Sequence, residues 1–98
     1  MKRIYTYNHL GKNYLCTKQQ MIKVLAEEVY YDTIYCNGFG IDSANYERGK
    51  KEADRLARNC SGLIACGTGY TFTVYKEDRF NRLSEAFRNE FIDIRKDR

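Results

Sequence analysis

Apolar and polar positions alternate over residues 2–7, where Ile4, Tyr5 and Tyr7 are good strand formers, and this predicts a β-strand. Asn8-His9-Leu10-Gly11-Lys12 then reads as a turn, with a short return strand over 13–16. The period changes at Thr17. Thr17 and Gln20 fit a capping box, and Met21, Ile22, Leu25 and Val29 fall on one side of the helix it starts, placed at about residues 18–31. Residues 33–36 read either as a short strand or as a continuation of that helix. The pair Asn37-Gly38, with Phe39 between two glycines, predicts a loop over 37–42.

Asp42 or Ser43 caps a second helix. Its inner side carries Tyr46, Gly49, Ala53, Leu56, Ala57 and Cys60, small enough to bring another backbone close, and Gly62 is a natural stop. A hairpin follows over 63–75, turning at Gly67-Thr68-Gly69. In its second strand Tyr70, Phe72 and Val74 face one way, and Thr71, Thr73 and Tyr75 the other. Asp78 caps a final helix with Phe80, Leu83, Phe87, Phe91 and Ile94 inward. The order β-β-α-(β)-α-β-β-α predicts a single α+β domain over residues 1–98. Its antiparallel sheet comes from two hairpins, with helices packed on one face.

Composition changes this picture little. A chain of 98 residues, 43% hydrophobic, is large enough for one packed core. The net charge of +4 is mild and permits an acidic partner without demanding one. Met-Lys-Arg is followed by alternating residues rather than an apolar stretch, and no run approaches a membrane span, so the expectation is a cytoplasmic protein without membrane contact. Cys16, Cys36, Cys60 and Cys66 then stay reduced and act as small hydrophobes.

Few residues suggest chemistry. His9 is the sole histidine and there is no Cys-x-x-Cys, so neither a metal site nor a cofactor is expected. Every Cys–His or Ser–His pairing would have to share His9, and no catalytic residue is assigned. The strongest candidate is a basic stripe, Arg48, Lys51, Arg55 and Arg58. Its spacings of three, four and three gather the side chains within about a third of a helix circumference. The same pattern is also the ordinary solvated face of an amphipathic helix. Phe39, framed by glycines, is the candidate anchor beside it. Tyr5, Tyr7, Tyr14, Tyr70 and Tyr75 on the hairpins suit base stacking or plain cross-strand packing.

Two functions fit these features. The first is a non-enzymatic binding module, a regulator or inhibitor of a protein or nucleoprotein partner, contacting it through Arg48, Lys51, Arg55, Arg58 and Phe39. Small accessory proteins of phages and mobile elements, including inhibitors of host defence nucleases, share this general build, though no motif. The second is direct nucleic-acid binding by the basic face and the sheet tyrosines. An exposed sheet edge also admits a homodimer.

Overall fold

A computed structural model describes residues 2–31, 43–65 and 67–96. The expected strand over 33–36, the Phe39 loop and an Asp42 cap lie outside these residues. Strand β1 (Arg3–His9) pairs with β2 (Lys12–Cys16), setting Tyr7 opposite Tyr14 and His9 opposite Lys12. Leu10 and Gly11 connect them at φ +52° and +84°, both in the left-handed region that a type I′ turn requires. Gly11 adopts this freely. Leu10 is a bulky residue at positive φ, and its side chain is 79% exposed.

Helix α1 (Lys18–Val24) starts at the predicted capping box. Thr17 Oγ1 accepts from Gln20 N at 3.1 Å, and Gln20 Oε1 accepts from Thr17 N at 2.7 Å. The helix then widens into a π-helical turn, Leu25–Val29, closed by Tyr30 N donating to Leu25 O at 2.9 Å. The side expected to be apolar is the buried one, with Met21, Ile22 and Leu25 in the core.

Helix α2 (Ser43–Asn59) crosses α1 and the π turn at very close range. A Cβ on Gly49 would lie 2.9 Å from the Ile22 carbonyl oxygen and 3.3 Å from Ala26 N. Only glycine permits this approach. Ala53 and Leu56 continue the contact, fully buried. The helix ends one motif earlier than Gly62 would suggest. Cys60 takes the left-handed position at φ +46°, and Ser61 N donates to Leu56 O at 3.2 Å, the longer closure of a Schellman cap. Gly62 instead opens strand β3, where a Cβ would lie 3.2 Å from Phe72 O.

Strands β3 (Gly62–Ala65) and β4 (Tyr70–Lys76) are antiparallel, and Ala65 lies opposite Tyr70. Gly67 and Gly69, between the two strands, are at positive φ. Strand β4 also pairs along β1, placing Tyr5 beside Val74. Phe72 and Val74 point into the core under α1 and α2, as the alternation predicts.

The segment after β4 departs from expectation. In place of one helix from Asp78 to Ile94 there are α3 (Glu77–Asn81), α4 (Glu85–Asn89) and strand β5 (Phe91–Asp93). Lys76, not Asp78, precedes the first turn. Ser84 restarts the helix, its Oγ accepting from Phe87 N at 3.2 Å, because a capping serine competes with helix continuation. Strand β5 then adds to the open side of β2 in parallel, extended by Ile94 N donating to Leu15 O at 2.9 Å. The predicted inner residues still meet. Phe80 and Phe87 each pack edge-on against Phe91, with centroids 5.5 and 5.2 Å away.

Among the described residues the sheet order is β3-β4-β1-β2-β5, so β3 and β5 are the edges. The two hairpins form the expected antiparallel centre, and the long helices cover one face. Phe80 packs on Tyr75, which alternation places on the opposite face, so α3 begins a smaller second layer there.

Candidate functional site: the cationic face of α2

Arg48, Lys51, Arg55 and Arg58 run along about 15 Å of α2 at 1.5 Å per residue, on the side away from Gly49, Ala53 and Leu56. The structure brings all four together. With Tyr30 and Glu52 they line a shallow depression of about 460 Å³, and Asp54 borders it. Tyr30, which ends the π turn, lies beneath Arg48, with the guanidinium carbon 4.6 Å from the ring centroid. That is cation–π range. Burial holds the Tyr30 phenol above its usual pKa, and the Glu52 charge adds to this.

The carboxylates flank the cations, Glu52 on one side of the stripe and Asp54 on the other. Glu52 grips Arg55, whose Nε donates to Oε2 at 3.1 Å while Nη2 engages Oε1. Asp54 pairs with Lys18 from α1. That hydrogen bond holds the Asp54 carboxyl below its usual range and raises the Lys18 amine. Lys51 and Arg58 point outward and make no ion pair among the described residues.

A second hollow, of about 340 Å³, shares Asp54 and Arg58 and extends the cationic surface to Lys18 and Arg3. Arg3 Nε donates to Ala57 O at 2.8 Å, in the last turns of α2, where a cation also complements the helix dipole. Arg3 Nη1 is shielded from solvent and has no acceptor among the described residues. Tyr30, Lys18 and Arg3 are absent from the sequence-derived candidates. Arg3 lies 54 residues from its helix partner, so only the sheet topology joins them. Phe39 lies outside the described residues.

Three of the hairpin tyrosines stack on neighbouring rings. Tyr7 lies 5.0 Å from Tyr14, Tyr70 lies 5.7 Å from Phe72, and His9 stacks on Tyr70 at 4.0 Å. Burial, with the nearby Cys16, pushes the Tyr7 phenol up to about 12. Burial likewise raises the Cys16 thiol to about 12, which removes it as a nucleophile at neutral pH. Among the described residues no three His, Cys, Asp or Glu side chains are placed to hold a metal ion, and no helix is long and apolar enough to cross a membrane. The chain matches no protein-family model, and comparison with curated proteins and with solved structures finds no significant match.

Proposed function

We propose that this chain is a non-enzymatic binding module, a regulator or inhibitor that docks the cationic face of α2 on an acidic surface of a protein or nucleoprotein partner. The ordering of charge on that face carries the reading. Arg55 is fixed by Glu52, Arg48 by the Tyr30 ring, and Asp54 by Lys18, while Lys51 and Arg58 stay outward. Fixed side chains lose little entropy on association, which favours a specific contact.

The flanking carboxylates favour a protein surface over a bare phosphate backbone. Glu52 and Asp54 would repel phosphates, whereas a protein partner can meet them with its own cations. Of the tyrosines that base stacking would need, Tyr7 and Tyr14 stack on each other, and Tyr70 stacks on Phe72 and His9.

A double reversal, Lys51→Glu/Arg58→Glu, tests the proposal, since both side chains are exposed and the fold does not depend on them. Crosslinked pull-downs from the native cell are expected to lose a protein partner with the variant at unchanged melting temperature. Equal capture by both forms would remove this face from the argument. A salt titration against duplex and single-stranded nucleic acid is expected to show only weak binding. Tight binding with a steep salt slope would instead favour the nucleic-acid reading.

A further inference from the structure

A larger cavity, of about 550 Å³, opens between the β3–β4 edge and α3. Its charge is of one sign. Lys76, Arg79 and Arg82 line it, and none of its lining residues is a carboxylate. The nearest acids in sequence are not among the lining residues: Glu77 pairs with Lys2 at 3.6 Å, and Asp78 accepts from the backbone N–H of Arg79 at 2.9 Å. Among the described residues, none of the three cations makes an ion pair. This is the reverse of the α2 face, where carboxylates hold the arginines.

Ser61 borders the cavity, but its Oγ is shielded from solvent and out of reach of a ligand there. Thr73 supplies a hydroxyl to the lining, opposite Gly62 in the β3–β4 pair. Gly62 beside it has no side chain, and a Cβ there would come within 3.5 Å of Thr73 Oγ1. Leu83 and Tyr75 provide apolar wall.

From this arrangement we infer a binding site for a small phosphate ester. Arginine forks bind phosphate oxygens bidentately, so Arg79 and Arg82 hold the phosphate with Lys76, and the Thr73 hydroxyl donates to it. The cavity exceeds what a lone anion fills and falls in the usual range for organic ligands. The organic part of the ester rests against Leu83 and Tyr75. The site is separate from the cationic face of α2 and does not depend on the function proposed for it.

Calorimetry at constant ionic strength, with inorganic phosphate, glycerol 3-phosphate, adenosine monophosphate and sulfate as probes, tests the assignment. Saturable 1:1 binding is expected, with at least one ester tighter than phosphate and phosphate tighter than sulfate. Arg79→Gln/Arg82→Gln is expected to weaken binding more than about tenfold, and Thr73→Val by about fivefold, the loss of hydrogen bonds to a charged group. Both arginines are exposed, so melting temperature is expected to hold. Lys51→Glu/Arg58→Glu is expected to leave affinity unchanged. Cys60 also lines the cavity, and bound ester is expected to slow its alkylation, read by peptide mapping. No saturable heat together with no protection of Cys60 would overturn the site. So would affinity that survives loss of both arginines. Phosphate and sulfate binding equally, with no preference for any ester, would reduce it to an adventitious ion only and refute the ligand class.

Discussion

Replacing Gly49 by alanine tests whether the closeness of α1 and α2 is a requirement of the fold. Two effects oppose each other. In an exposed helix the change would stabilise by about 1 kcal/mol. Here the new methyl would sit 2.9 Å from Ile22 O, about 0.5 Å inside ordinary contact, and 3.3 Å from Ala26 N. Both neighbours are backbone, so no rotamer change relieves the clash. Nor can the π turn retreat easily, because Met21, Ile22, Leu25 and Ala26 are all at most 2% exposed. Overpacking of this kind costs about 1–3 kcal/mol, and immobile partners put Gly49→Ala at the upper end. The net loss expected is about 2 kcal/mol, a fall in melting temperature on the order of 10 °C for a domain this size. Thermal melts and urea titrations of Gly49→Ala, beside the exposed control Lys50→Ala, measure it. The control is expected to be near neutral. A Gly49→Ala protein as stable as wild type would show that the helices can separate freely, and the close approach would explain nothing.

Leu10→Asn converts the first turn to Asn-Gly, the pair best suited to φ +52° and +84°. It is expected to raise stability by about 1 kcal/mol in urea titrations, and a loss would mean that the exposed leucine packs on something that matters. Alkaline stability follows from Cys16 and Tyr7, whose pKa values rise from 9.0 and 10.0 to about 12. Raised folded values mean a contribution fully present below the unfolded pKa and lost as pH climbs to the folded one. Urea midpoints are therefore expected to hold to about pH 9 and fall between 9 and 12, and Tyr7→Phe should flatten the upper part of that fall. Glu52→Gln frees Arg55 and removes one negative charge from the α2 face. Weak nucleic-acid binding is expected to increase several-fold, with a steeper salt slope in a fluorescence titration; an unchanged slope would mean that Glu52 does not screen the stripe.

The parts of the fold legible in the sequence are those set by local rules. Thr17 and Gln20 are three residues apart and meet across one turn, so the capping box could be read directly. The alternation in β4 and the small inner face of α2 are likewise properties of a single element. The split of the last helix was not legible in the same way. Phe80, Phe87 and Phe91 satisfy helical spacing, yet they meet through a break at Ser84. Residues 91–93 become a strand because β2 offers an open edge, a fact about another part of the chain. The end of α2 shows a related limit. Cysteine pays a conformational penalty at φ +46°, and only the pairing of β3 with β4 makes Gly62 more useful two residues later. The candidate site divides along the same line. The stripe is periodic on one helix and could be found from spacing. Its second layer, Tyr30, Lys18 and Arg3, comes from three other elements, and the pairing of Glu52 with Arg55 depends on rotamers.

That second layer ties the α2 surface to its core. Gly49 lets α2 rest on the π turn, and Tyr30 closes that turn with its backbone N–H while its ring lies beneath Arg48. A displacement of the turn by half an ångström would move the ring with it, since the Tyr30 N to Leu25 O bond fixes one to the other. The small-residue side and the charged side of α2 are thus positioned by the same five-residue turn. A π turn widens the helix and redirects the residue that follows, a rare arrangement found often at functional sites. Its place between the tightest packing contact and the arginine that lies over the Tyr30 ring supports the proposal that this face, rather than the hairpin tyrosines, meets a partner.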